Sequence, residues 1–453
     1  MTNSPLFFIV TLGCKINQYE SQALREAWTA SGATEASVPE AADVLLFNSC
    51  AVTAKAVSEL RAAVRKLQRE NPRAMLIITG CAAQVQAEEL RRAFPKARIV
   101  SQQHKATLLA QPPGPLPVAP RDQPPTDDPI CFPGFEVQGA VRARAVVKVQ
   151  DGCTQRCTYC IVPSTRGRAV SRPPLAALAE VRRLLTAGWR EVVLSGINLR
   201  QYGADLSPAL DFWDLVATLE RELAPEWAGR ARLRLSSLDP AQLGAKALDV
   251  LGTSTLICPH LHLSLQSLAP GVLRRMGRGH YGPDDVAAQV KHLEGIWPVF
   301  GLGADILTGF PGETDDDFRQ TLAQCEKLPL SYAHVFPYSK RPGTQAATLP
   351  DQIPGDVAKA RASALRTMAA DKKQTFAQRV ATLPEVHIVL EFNDIKHGMS
   401  EHYAECRLSH AVVGAGPRDV VRVQPTAAAQ GVVTVAPLAQ NPAPAMDNTG
   451  ELA

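Results

Sequence analysis

Short apolar runs alternate with helix-spaced stripes from the start of the chain. Phe7–Leu12, Val44–Phe47 and Met75–Thr79 have the length and residue types of buried strands. Each is followed closely by a cysteine: Cys14, Cys50 and Cys81 in turn. Helical spacing comes next, as in Ala54–Glu70, where Val57, Leu60, Val64 and Leu67 share one face. Strand–helix alternation predicts an α/β domain with a parallel sheet, whose strands all end on one edge. Ligands of such sheets bind at that edge, so three strand-end thiols are placed to converge.

A second alternating block begins at Ala145. Its strand-like runs are Ala145–Val149, Val192–Leu194, Arg232–Leu235, Leu261–Leu265, Ala304–Thr308 and His334–Pro337, with helical stretches between them. Six such units predict a partial (β/α)6 barrel rather than a closed eight-stranded one. Two strands alternate in an unusual way. Arg232, Arg234 and Ser236 oppose Leu233 and Leu235, and His260, His262, Ser264 and Gln266 oppose Leu261, Leu263 and Leu265. With the leucines against outer helices the lumen is polar, which predicts a ligand inside. An amphipathic stretch, Pro354–Leu383, closes the block, and Val-rich Glu385–Leu438 with Gly-marked turns predicts a small β-module of about five short strands.

Between Pro112 and Pro133 there are 9 prolines, which exclude helix and central strand and predict an extended linker. The expected organisation is an N-terminal α/β domain (1–111), a linker (112–138), the barrel (139–379), the β-module (380–440) and a frayed tail (441–453). No apolar run approaches the ~18 residues of a membrane span, and Leu6–Val10 lacks the flanks of a signal peptide. A cytoplasmic protein without a membrane partner is expected. Ten cysteines in 453 residues are too few for a disulfide scaffold, so clustered ones point to metal ligands.

The strongest cluster is Cys153-Thr-Gln-Arg-Cys157-Thr-Tyr-Cys160, just beyond a predicted strand. Three thiolates on one loop hold three irons of a cubane cluster and leave the fourth iron open. Zinc is the competing ligand, but it favours paired C-x2-C elements with further ligands elsewhere. Cys131, Cys258, Cys325 and Cys406 match no motif and are expected in cores.

With Tyr159 before its last cysteine, this run resembles the radical S-adenosylmethionine enzymes. Val147–Cys153, Cys160–Arg168, Arg234–Leu238, His260–Gln266, Arg275–Arg278 and Gly309–Glu313 are similar to the methylthiotransferase branch in sequence and order. The resemblance implies a 4Fe-4S cluster on Cys153, Cys157 and Cys160, whose open iron chelates S-adenosylmethionine and cleaves it to a 5′-deoxyadenosyl radical. It implies a second 4Fe-4S cluster on Cys14, Cys50 and Cys81, used in sulfur insertion. Cofactor contacts are expected from Tyr159, Ser195, Gly196, Asn198, Arg234, Ser236 and Gln266. A low-potential electron donor such as flavodoxin or ferredoxin is implied, and the terminal module resembles a TRAM domain. One departure stands out: Leu268-Ala269 follows Gln266-Ser267 where many relatives have Gly-Ser.

Thr11-Leu-Gly-Cys14-Lys-Ile-Asn17-Gln-Tyr-Glu20-Ser21 resembles the branch that acts on threonylcarbamoyladenosine in tRNA. Lys15 and Gln18-Tyr19 carry that resemblance; the isopentenyladenosine branch has Gly-Cys-Gln-Met-Asn here, and the branch acting on a ribosomal protein has Gly-Cys-Pro-Lys-Asn. The expected reaction adds a methylthio group to carbon 2 of the base at position 37, next to the anticodon. A non-catalytic iron–sulfur RNA-binding protein is the alternative of another class.

Net charge is +4 overall, but Val380 to Ala453 carries 4 Lys/Arg against 8 Asp/Glu, a net of −4. The terminal module is therefore a poor electrostatic anchor for a polyanion. RNA contacts are expected instead from Arg166, Arg168, Arg274, Arg275 and Arg278, within a basic stretch beginning at Arg142 and Arg144.

Overall fold

The computed structural model describes residues 4–110 and 132–438. The N-terminal domain has strands β1 (Leu6–Thr11), β2 (Thr34–Glu35), β3 (Val44–Ser49), β4 (Met75–Gly80) and β5 (Arg98–Ile99). They form one parallel sheet in the order β2-β1-β3-β4-β5. Helices α1 (Lys15–Ala30), α2 (Ala54–Glu70), α3 (Cys81–Val85) and α4 (Ala87–Ala93) connect them. Val57, Leu60, Val64 and Leu67 of α2 are all buried, as their spacing requires, and the Thr53 hydroxyl caps the helix by accepting from the Ala56 amide.

The second domain begins with β6 (Arg144–Lys148). A small hairpin, β7 (Gln150–Asp151) with β8 (Val170–Ser171), brackets α5 (Val162–Arg166). The main strands continue as β9 (Glu191–Ser195), β10 (Arg232–Leu235), β11 (His260–Gln266), β12 (Gly301–Thr308) and β13 (Tyr332–Pro337). Two parallel three-stranded sheets, β10-β9-β6 and β11-β12-β13, are joined by the bridges Leu233–Ile257 and Leu238–Leu263. The result is the open six-stranded barrel read from the sequence. Leu261, Leu263 and Leu265 face the outer core beside Val286, Val290 and Leu293, while His260 and His262 reach the Tyr332 hydroxyl at 3.0 Å across the lumen.

An open barrel has two edges needing cover. At the first, α1 packs against β6. At the other, α12 (Gly355–Ala381) packs against β13. The Pro-rich run lies almost wholly outside the described residues. Its expected end is corrected: Phe135 and Val137 are buried in the core, and Tyr19 donates to the Phe135 carbonyl at 2.6 Å. The chain is thus already docked between the domains before residue 138. Cys131 also lies outside the described residues, whereas Cys258, Cys325 and Cys406 are buried.

The terminal strands β14 (Val386–Leu390), β15 (His397–Ser400), β16 (Glu405–Leu408), β17 (Val420–Ala429) and β18 (Val432–Pro437) close into a barrel ordered β14-β15-β16-β18-β17. Its Ser400–Ala404 turn plugs the N-terminal mouth of the larger barrel. Tyr403 stacks on His260 with ring centroids 4.3 Å apart, and a Cβ on Gly301 would lie 2.1 Å from the His402 carbonyl oxygen. Only glycine at the start of β12 lets the plug come that close.

Candidate functional site

Cys14, Cys50 and Cys81 follow the three adjacent strands β1, β3 and β4 at one sheet edge. Tight turns aim them. Gly13 has φ +113° and Gly80 φ +94°, and a Cβ on Gly13 would sit 2.5 Å from the Cys50 Cβ. Burial, reinforced by the neighbouring Cys81 and Cys14 thiolates, pushes the Cys50 thiol up to about 11. Three thiols drawn together at one sheet edge are a ligand set for a cation, which is what an iron cluster supplies. The donor set fits one.

The second triad sits on the loop between β7 and α5. Cys153, Cys157 and Cys160 are all partly accessible, and burial with mutual repulsion pushes Cys160 up to about 12. The surroundings donate to sulfur: the Asn198 amide reaches Cys153 Sγ at 3.3 Å, and Arg278 Nη1 lies 4.0 Å from Cys157 Sγ. These N–H groups suit thiolates in a bound cluster and would hold them in place. Helix α3, which starts at Cys81, packs against α5, which follows Cys160, so both triads open onto one seam between the domains.

A buried charge network underlies this seam, and single motifs in the sequence do not reveal it. Glu20 accepts from Lys105 at 2.6 Å, Lys148 at 2.8 Å and Arg166 at 2.9 Å. Asp151 accepts from Lys148 at 2.5 Å and Arg166 at 3.0 Å, and Arg166 donates to Asn17 at 2.7 Å. Burial works against the Glu20 charge, but Arg166, Lys105 and Lys148 outweigh it and hold the carboxyl well below its usual range. Three cations against two carboxylates leave an excess positive charge beside Cys14 and Cys81, suited to a cluster of thiolates.

Arg166 therefore does not face RNA. Its side chain is 1% exposed, so its expected role as an RNA contact is corrected to a structural one. Arg278 is likewise buried, held by Asp239 at 2.9 Å and the Ser264 carbonyl at 2.9 Å. Arg275 is exposed but tied to Asp317 at 3.2 Å and the Gly312 carbonyl. Arg168 and Arg274 are exposed, as is Arg156 on the radical loop, and none has a carboxylate partner among the described residues. Changing Arg156, Arg168 and Arg274 together to Gln is expected to flatten the salt dependence of tRNA binding by about one to three units of slope. Titration across a salt series checks this. In the terminal module Arg418 lies over the Trp189 ring at 4.4 Å, so its cation serves docking.

The expected cofactor residues divide. Ser195, Gly196 and Asn198 lie at the end of β9 beside the radical loop, with Gln150 bracing both: its Oε1 accepts from the Ile197 and Asn198 amides at 2.9 and 2.7 Å, and its Nε2 donates to the Asp151 and Gly152 carbonyls. Gln150 lies within the Val147–Cys153 motif, but its bracing role follows only from the fold. Tyr159 packs edge-on to Phe310. Ser236 Oγ is buried without a hydrogen-bond partner, and Gln266 takes φ +57° at a bulge in β11, a strained backbone of the kind found at binding sites. Arg234 is corrected. It pairs with Glu191 at 2.6 Å and donates to the Ser400 and Glu401 carbonyls, so four of its N–H groups are committed to Glu191 and the plug, which makes it an anchor of the plug. Leu268 and Ala269 are buried in apolar clusters, so the departure from Gly-Ser fills core space.

Comparison with known proteins follows the same division. Residues 6–101 match the family described as Uncharacterized protein family UPF0004, and residues 147–325 match the Radical SAM superfamily. The chain is 34% identical to the threonylcarbamoyladenosine tRNA methylthiotransferase MtaB of Chlamydia pneumoniae, over 90% of this chain and 92% of that protein. It is 32% identical to the protein of that name from Thermotoga maritima, over 94% of this chain and 96% of that one. A tRNA-2-methylthio-N(6)-dimethylallyladenosine synthase of Pelotomaculum thermopropionicum is 31% identical over 79% of this chain and 80% of its own. Among solved structures, the radical S-adenosylmethionine methyltransferase TsrM of Kitasatospora setae, with cobalamin and a [4Fe-4S] cluster bound, shares the fold. Its TM-score is 0.54 at 15% identity, covering 76% of this chain and 74% of that one.

Proposed function

Because the chain belongs to the radical S-adenosylmethionine tRNA methylthiotransferase family, we propose that it converts N6-threonylcarbamoyladenosine at position 37 of tRNA to its 2-methylthio derivative. The observation that supports this most is the shared seam: there are two separate cysteine triads, one on each domain, and the helix that starts at Cys81 packs against the helix that follows Cys160. A radical source alone needs one cluster; inserting sulfur at the same carbon calls for a second metal centre within reach of the substrate. Cys153, Cys157 and Cys160 would hold the cluster that binds S-adenosylmethionine, and Cys14, Cys50 and Cys81 the auxiliary one. When bound, these groups supply the radical and the sulfur chemistry.

The protein's own part is to place and screen. Asn198 and Arg278 donate toward the radical-loop sulfurs, Gln150 fixes the turn beside them, and the Glu20 network balances charge under the auxiliary site. Exposed Arg156, Arg168 and Arg274 near the radical loop would meet the phosphate backbone. A low-potential donor of the flavodoxin or ferredoxin class would deliver the electrons, in the cytoplasm. Among the described residues no helix is long and apolar enough to cross a membrane.

The decisive experiment is nucleoside mass spectrometry of tRNA from cells with and without the gene. Deletion is expected to remove the methylthio form of threonylcarbamoyladenosine and to leave its parent accumulating, with methylthio-isopentenyladenosine untouched. Loss of the latter instead would move the substrate to the other tRNA branch. No change in either would favour a non-catalytic RNA-binding protein.

A further inference from the structure

Lys15 follows the cluster ligand Cys14 and opens α1, the helix that covers the β6 edge of the barrel. Like Cys14 it keeps accessible surface, while the protein around it desolvates its ammonium. Its charged and titratable surroundings come from three parts of the molecule: Arg144 of β6, Glu191 and Arg234 of the barrel strands, and Tyr403 of the plug. His260 of β11 lies within its electrostatic range as well. The partners in this set are already committed. Glu191 is spent on Arg232 and Arg234, each at 2.6 Å, and Arg144 holds Glu391 at 3.1 Å. Lys15 makes no ion pair or hydrogen bond among the described residues.

A second, independent observation points to a ligand here. His260 is 2% exposed, and its Nε2 meets the Tyr332 hydroxyl at 3.0 Å, but its Nδ1 has no partner. A buried ring nitrogen left unpaired is costly, and a lysine without a carboxylate partner lies within electrostatic range of it; an anionic, hydrogen-bonding group would satisfy both. The Tyr332 and Tyr403 rings pack on each other, with centroids 5.3 Å apart, and both stack on the His260 ring.

We propose that Lys15, with the unpaired edge of His260, forms a carboxylate-binding subsite that selects the amino-acid arm of the substrate base. This deepens the function proposed above and rests on it. A threonylcarbamoyl arm ends in a carboxylate and a hydroxyl; an isopentenyl arm has neither. An ammonium in a crowded lumen attracts the first and gains nothing from the second, so one side chain supplies both affinity and discrimination. It also gives a physical reason for the residue after Cys14 to mark the branch: Lys15 opens α1, the helix that packs against β6 of the barrel.

The test uses the reconstituted full-length protein and anticodon stem-loop RNAs carrying threonylcarbamoyladenosine, its carboxylate methyl ester, or isopentenyladenosine. Lys15→Gln is expected to lower kcat/KM on the free acid by about 30- to 100-fold, mostly through KM, with iron content at the wild-type level. Wild type should discriminate against the ester by a similar factor, the Gln variant should treat acid and ester alike, and Lys15→Arg should recover much of the lost discrimination. Equal losses on acid and ester, or an acid-to-ester ratio unchanged by Lys15→Gln, overturn the subsite. Wild type that turns over the isopentenyl RNA but not the free acid overturns the substrate reading, and the subsite with it.

Discussion

Replacing Cys153, Cys157 and Cys160 by Ala is expected to remove roughly half of the iron and to abolish reductive cleavage of S-adenosylmethionine. Replacing Cys14, Cys50 and Cys81 should remove the other half, preserve cleavage to 5′-deoxyadenosine, and stop methylthio transfer. The asymmetry follows from where the triads sit. One lies on a loop at the mouth of a polar barrel, next to the β9 turn of Ser195–Asn198; the other lies on the edge of a separate sheet, which shares a core with the barrel on one face and has its own on the other. Iron analysis together with product chromatography reads both effects in one preparation. A folded triple variant that loses all its iron would show that the sites load as one unit.

Glu20→Gln is expected to be the most damaging single change away from sulfur. It leaves Lys148 and Arg166 buried with Asp151 as their remaining carboxylate, and Lys105 with the Asn48 side-chain oxygen. Removing one member of a fully buried ion network typically costs about 3–5 kcal/mol, because the opposite charge stays desolvated without compensation. Adding Lys148→Met removes one surplus cation and should recover part of that loss, a coupling that denaturant titration of the single and double variants measures. The pH dependence has a definite sign. Since the neighbouring cations depress the Glu20 carboxyl below its ordinary 4.5, its contribution is present above that value and fades as pH falls toward the folded-state one. Wild type should therefore lose stability more steeply than Glu20→Gln as pH drops below ~5.

The two clusters of function were legible in the chain for different reasons. Cys153, Cys157 and Cys160 are close in sequence, so their spacing alone brings them onto one loop. Cys14, Cys50 and Cys81 are far apart, but strand ends in a parallel sheet share an edge, and the periodicity of the runs before them showed that they follow strands. Alternation of polar and apolar residues likewise determined that His260 and His262 look inward and their leucine neighbours outward. The small closed β-module was readable from its short Val-rich runs.

What the linear pattern could not decide was the destination of each charge. Arg166, Arg278 and Arg234 look like any other arginines of a basic stretch, yet their guanidinium groups end in Glu20 and Asp151, in Asp239, and in Glu191 with the plug carbonyls. Those partners lie on other elements, up to 167 positions away in the case of Glu401. Charge is a local property of sequence, but exposure and pairing are properties of packing, because a side chain is desolvated only by groups that the fold brings from elsewhere. The same reason hid the bracing role of Gln150 and the plug at Tyr403. The chain determined its own elements, their inward faces and its thiol ligands; which cations met solvent, and which were spent on holding the domains together, was settled only when the three domains closed on one another.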